Sequence, residues 1–131
     1  MRAWHDYHLT AYTVDGENRR ISFQLVWPYR TETDVRRATV IFSGVAGHFF
    51  AYDLGVSIVH AFEERPLVES LDKHTHQFED GEKWGWPSFW RGNVENTAPY
   101  LEEQRLRFFE ISSSYGLSGW VCARDVVHKV H

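Results

Sequence analysis

The sequence predicts an α+β fold, mainly an antiparallel sheet of about six or seven strands, with two helices inserted in the C-terminal half of one globular domain spanning 1–131. Three observations lead there. Short runs dense in β-branched and aromatic residues recur along the chain, separated by Gly-, Asp- and Ser-containing turns. Helical spacing of apolar residues is confined to the stretch after Pro66. A chain of 131 residues, 43% hydrophobic and 16% aromatic, has enough apolar surface to close a core without covalent staples.

Tyr7 to Val14 favours β residues and reads as a first strand, followed by the turn cluster Asp15-Gly16-Glu17-Asn18. Arg20 to Trp27 alternates: Ile21, Phe23, Leu25 and Trp27 share one face, opposite Arg20, Ser22 and Gln24. Thr31 to Arg37 is a polar link. The centre of the sheet is placed in Thr39 to Phe62, two apolar strand regions around a Gly-rich bend at Gly44 and Gly47. Ala38, Val40 and Phe42 oppose Thr39, Ile41 and Ser43, which suggests a strand covered on both sides. His48 to Tyr52 is a short strand, Asp53-Leu54-Gly55 a turn, and Val56 to Glu63 another strand whose Val56, Ile58, His60 and Phe62 line one face. Pro66 suits a first helical position, and Leu67, Leu71, Thr75 and Phe78 continue an amphipathic helix. Residues 83–92, KWGWPSFWRG, carry too much Gly, Pro and Trp for a regular element and read as an ordered aromatic loop. Thr97-Ala98-Pro99 opens a second, short helix. Phe108 to Ser112 and Gly119 to Val127 complete the strands.

Charge and composition narrow the function. Fourteen basic and eighteen acidic residues leave a net charge of −4, with no basic cluster beyond pairs such as Arg19-Arg20, so nucleic acid is not an expected partner. Eight histidines would carry the charge from −4 to +4 if all were protonated (−4 + 8). No run approaches membrane-spanning length and the first residues lack a secretion signal, so a cytoplasmic location with no membrane partner is expected. Cys122 is alone, which excludes an internal disulfide and a multi-cysteine metal site.

No catalytic residue, metal site or cofactor is assigned. His74 and His76 diverge on a helix, His5 and His8 on a strand, and His128 and His131 lie at the C-terminus. His48 and His60 are the candidates for a His-dependent enzyme, with Asp53 or Glu64 as the acidic partner, weighed against imidazoles bonded to backbone in the core. Gly116-Leu117-Ser118-Gly119 is not a hydrolase nucleophile elbow, and phosphate loops, dinucleotide fingerprints and His-Glu-x-x-His are absent. The most distinctive local feature is Trp84, Trp86, Phe89 and Trp90, which with Tyr115, and Trp120 as a further extension, could form a partner- or ligand-binding surface, or else fold inward over the sheet.

The order of strand, VDG-type turn and strand, then TVIFSGVAGHFF and a late SSYGLSGW strand, resembles small uncharacterised bacterial domains, some of them similar to immunity proteins that neutralise toxins of competing cells. The resemblance spans about residues 7 to 125. It implies a non-enzymatic protein-interaction domain, with a protein partner or self-association. The alternative is a small-ligand-binding domain using the aromatic loop, and a His-dependent enzyme stands third.

Overall fold

The computed structural model describes residues 4–28 and 36–131, so most of the polar link expected at Thr31 to Arg37 lies outside the described residues. Among them run eight strands: β1 His8–Asp15, β2 Arg20–Trp27, β3 Arg36–Ser43, β4 Gly47–Ala51, β5 Ile58–Arg65, β6 Arg107–Tyr115, β7 Ser118–Ala123 and β8 Asp125–Val130. The helices are α1 Leu67–Lys73, α2 Thr75–Gly81 and α3 Val94–Glu103, with a 3-10 turn at Glu82–Trp84. All ladders are antiparallel and the strand order is β4-β7-β6-β5-β1-β2-β3-β8.

Eight strands replace the six or seven expected because the last apolar run is bent in two. Only Arg124 separates β7 from β8, and only Gly44, Val45 and Ala46 separate β3 from β4. β3 pairs with β8 and β4 with β7, so the two arms form one antiparallel ribbon that turns a corner. Between the flanking pairs Ser43↔Asp125 and Gly47↔Cys122, the first arm spends three residues and the second two. The extra residue is a bulge, the usual device for bending a ladder. Gly44 takes φ +62 there, and a Cβ on it would lie 3.1–3.2 Å from the Arg124 side chain. The ribbon therefore belongs to both ends of the strand order and folds the sheet around a core.

Two layers of apolar packing result. Ile21, Phe23 and Leu25 of β2, with Ala38, Val40 and Phe42 of β3, face Val59, Phe62, Phe109, Ile111 and Val121 across the interior. Phe23 meets Phe42, Phe50 and Phe62 at centroid distances of 5.3–5.9 Å, mostly edge to face. On the opposite face of β6 and β7, Phe108, Trp120 and Cys122 are covered by Leu71, Phe78, Phe89, Trp90 and Leu101. The strands buried on both faces are thus β6 and β7. On β3 the second face, Thr39, Ile41 and Ser43, is half-buried.

Three further boundaries depart from the sequence reading. The first helix breaks at His74 (φ −107, ψ 12), giving α1 and α2 and hence three helices where two were expected. Helix α3 begins at Val94, upstream of Thr97, because the Asn93 side chain accepts a bond from the Asn96 amide and caps it, leaving Pro99 inside the helix. On β5 the pairing with β6 is irregular at Ile58, Val59 and Ala61. That shift buries Val59, Ala61 and Phe62 and turns His60 outward, reversing its expected inward placement.

Gly119 sits where β7 passes closest to β4: a Cβ there would collide with the Phe49 carbonyl and stand 3.0 Å from Phe50 Cα. Gly119→Ala is expected to cost about 1–3 kcal/mol of unfolding free energy in urea titration, since backbone must move to admit the methyl. Unchanged stability would mean that the β4–β7 contact is slack.

Candidate binding face: a cleft and an apolar ridge

The aromatic loop divides its rings between core and solvent. Phe89 and Trp90 are buried, Trp86 is half-buried, and Trp84 is 78% exposed. Trp90 donates from Nε1 to Glu82 Oε1 at 3.2 Å and packs 5.1 Å from Phe78. Trp86 stands 5.9 Å from Trp120 and 6.4 Å from Phe49, while Trp84 has the Lys83 ammonium 5.3 Å from its ring. Tyr115 is elsewhere, at the β6–β7 turn, in a hollow that none of these loop rings lines. The five residues grouped by sequence therefore form no single surface: two are core, and Trp84 and Tyr115 are exposed separately.

The histidines and the cysteine divide in the same way. His48 is half-buried 5.0 Å from Phe50, and that burial lowers its pKa. His60 is exposed with its ring 5.1 Å from His5. Cys122 is buried in the outer cluster, and burial pushes its thiol up to about 12, which makes it a packing residue and a poor nucleophile. Among the described residues no three His, Cys, Asp or Glu side chains converge as metal ligands, and no helix is long and apolar enough to cross a membrane.

Of the histidines that sequence reasoning set aside, His74 lies in a cleft. His74 lies at the α1–α2 break, its ring stacked 5.8 Å from Phe108 and 6.1 Å from Trp120. Its Nε2 is buried with no hydrogen-bond partner among the described residues. An unpaired buried polar atom costs roughly 1–3 kcal/mol and calls for an explanation. The cleft it lines, about 340 Å³, runs between the helices and β4, β6 and β7. Gln77 enters from α2 and accepts the Trp120 indole N–H at 2.9 Å through Oε1, so its amide nitrogen remains a donor. Lys73 pairs with Glu110 at 2.8 Å, and Ser112 and Ser118 add hydroxyls. These polar groups, balanced in charge, sit in a lining that is mostly apolar. The one local signal is composition: Lys73-His74-Thr75-His76 sets two histidines and a threonine, weak helix formers, in succession where the helix breaks.

Beside the cleft, and sharing Ser113 with it, is a hollow of about 580 Å³ lined by Tyr52, Asp53, Leu54, Ser114, Tyr115 and Gly116. Gly116 is required as glycine, because it takes φ +94 and because a side chain there would strike Ser57 Oγ and the Val56 carbonyl. The Tyr12 hydroxyl donates to Asp53 Oδ2 at 2.6 Å and holds the β4–β5 connection down, which raises the Tyr12 pKa. In this hollow stand Leu54 at 92% exposure, Tyr52 at 78% and Tyr115 at 67%, with Val56 at 56% beside Gly116, while Phe49 at 41% lines the adjoining cleft. Sequence reasoning singled out Tyr115 but missed the others, which it had read as turn and strand residues.

Burial, and secondarily Lys73, lower the His74 pKa from 6.5 against an opposing pull from Glu110. Above pH 6.5 both folded and unfolded chains carry it neutral. As pH falls through 6.5 the unfolded chain takes the proton first, so stability is lost on acidification. His48 and His128 shift in the same direction. His74→Gln is expected to flatten the fall in unfolding free energy below pH 6.5, and the wild-type His74 imidazole to titrate by NMR below that value. A midpoint at or above it would show that the ring is solvated. Compared with protein families, with curated proteins and with solved structures, the chain matches none.

Proposed function

We propose that the chain is a non-enzymatic protein-interaction domain that docks a partner on the ridge of Phe49, Tyr52, Leu54, Val56 and Tyr115. The observation that carries this is the coincidence of exposed apolar rings with missing charge. Residues 47–62 contain one Asp, Asp53, as their only Asp, Glu, Lys or Arg, and residues 111–123 contain none, in a chain that is 24% charged. Scattered exposed apolar residues are ordinary, but a gathered set, rich in rings and poor in charge, is the composition of an interface centre. The edge of β4 away from β7 pairs with no strand among the described residues, which offers a partner backbone hydrogen bonds beside the ridge. The occupant we assign is a partner protein with its own apolar patch and strand edge. The resemblance noted above names its class, a toxin of a competing cell, and makes this an immunity-like role.

A photo-crosslinking residue at Leu54 tests the reading against one at Glu95, exposed on α3. The same partner should be captured from position 54 and not from 95, and Tyr52→Lys should abolish capture while leaving the melting temperature nearly unchanged, as surface substitutions do. Equal capture from both positions, or none, would refute it. Capture of a second copy of the chain would replace the foreign partner with self-association.

A second reading, small-ligand binding, is favoured by the orphaned His74 Nε2 in the cleft. Cleft and ridge adjoin, so a polar group of the partner could also fill it.

A further inference from the structure

We propose that the cavity at the ribbon corner is an oxyanion-binding site suited to a phosphate group. It encloses about 320 Å³ and is lined by Arg19, Arg124, Ser88, Tyr100, Gln104 and the apolar side of Phe89, with no carboxylate in its wall. It shares no lining residue with the cleft or the ridge hollow, so it stands independently of the reading above.

Charge balance is the first argument. Among the described residues three cations pair with carboxylates, Arg65 with Glu63 at 3.0 Å, Lys73 with Glu110 at 2.8 Å and Arg107 with Glu64 at 2.7 Å, and none of these pairs lines the corner cavity. At the corner the guanidinium groups meet only neutral acceptors. Arg124 donates from Nε to the Gln104 carbonyl at 3.0 Å and from Nη2 to Gln104 Oε1 at 3.4 Å. Arg91, outside the cavity lining, stands 3.9 Å over the Tyr100 ring and donates to the Ser88 and Trp90 carbonyls at 2.7 and 3.3 Å. Arg19 has no ion pair among the described residues. Neutral acceptors orient a guanidinium without cancelling its charge, so the corner is positive within a chain of net charge −4.

The second argument is donor count. Besides the arginines, the wall carries the Ser88 and Tyr100 hydroxyls, neither of which bonds to another described residue. A wall rich in donors fits a ligand that only accepts, and the planar fork of arginine matches phosphate or carboxylate oxygens two at a time. The opposing term is the C-terminal end of α3, whose carbonyls would repel an anion. Arg124 covers that end by binding the Gln104 carbonyl, and the missing Cβ of Gly44 leaves room for its aliphatic chain. Arg124 thus has a structural role that also removes the obstacle to an anion.

The test is calorimetric titration with inorganic phosphate at constant ionic strength, followed by glycerol phosphate, alongside the NMR signal of Arg124 Nε–H. Saturable binding that moves this signal is expected. It should weaken about threefold or more in Arg19→Gln, an exposed substitution that spares the core, and stay unchanged in Arg36→Gln at the far end of β3. Tighter binding of the ester would assign a phosphorylated small molecule, and equal binding the phosphate group alone. Absence of saturable binding, or binding undiminished by Arg19→Gln, would overturn the proposal.

Discussion

The molecule depends on one corner. A flat sheet of these strands would leave one face of β2 and β3 in water, and that face carries Phe23, Val40 and Phe42, all fully buried in the folded chain. Each ring or branched side chain left exposed would forfeit roughly 1.5–3 kcal/mol. Bending the β3–β4 and β7–β8 ribbon at Gly44 and Arg124 avoids this, because the two halves of the sheet then face each other. The corner is held by local bonds: the Arg124 amide to the Ser43 carbonyl at 3.1 Å, Val45 to Arg19 at 3.0 Å and Ala46 to Cys122 at 2.8 Å. Glycine is required at Gly44 for two reasons at once, a left-handed backbone and the space that Arg124 fills.

Closing the interior creates the second demand. Strands β6 and β7 carry apolar residues on both faces, so the outer one must be covered too, and α1, α2, α3 and the aromatic loop do so around Trp120. Its ring lies 5.1 Å from Phe108, 5.6 Å from Phe78 and 5.9 Å from Phe89. Short helices cannot seal such a face completely. Where α1 ends and α2 begins, the chain brings His74 and Gln77 against the rings; Gln77 finds an indole, whereas His74 Nε2 finds no partner among the described residues. The cleft is a consequence of covering a flat aromatic face with two seven-residue helices.

Legibility followed periodicity. Residues 20–27 announce their strand because alternation is clean there, and the observed bounds are Arg20–Trp27. The α+β class follows from such runs. What alternation cannot reveal is an irregularity that changes its phase: β5 slips at Val59 and His60 leaves the core, and the last run turns at Arg124 although Gly119 to Val127 reads without a break. Both events are decided by partners distant in sequence, Ser112 and Ser113 for β5 and Ser43 for Arg124. The aromatic loop was visible as a composition, but which ring turns inward depends on acceptors such as Glu82 and on space beside Phe78. The ridge was hidden for a plainer reason: Tyr52, Leu54 and Val56 are residue types that ordinarily fill a core.

Backbone geometry separates these exposed rings from accidental ones. Four described residues other than glycine adopt positive φ: Asp6, Arg19, Tyr52 and Arg105. Aspartate tolerates that region, whereas a tyrosine or arginine there pays about 1–2 kcal/mol against its own Cβ. Tyr52 holds φ +60 with its ring almost wholly in solvent, so no packing gain on the ring offsets the strain. Its neighbour Asp53 is anchored by Tyr12, which fixes the loop and with it the direction of Tyr52 and Leu54. Arg19, at φ +51, lines the corner cavity, whereas Arg105, at φ +59, follows the α3 cap Gln104 and makes the left-handed turn in which the Leu106 amide returns to the Leu101 carbonyl. Strain tends to persist where surrounding structure holds a residue for a purpose outside the fold. In this chain Arg19 carries its strain where the corner needs its carbonyl for the Val45 amide, and Arg105 where α3 ends, whereas Tyr52 on the ridge is the one of the three whose strained backbone serves no contact of the interior among the described residues.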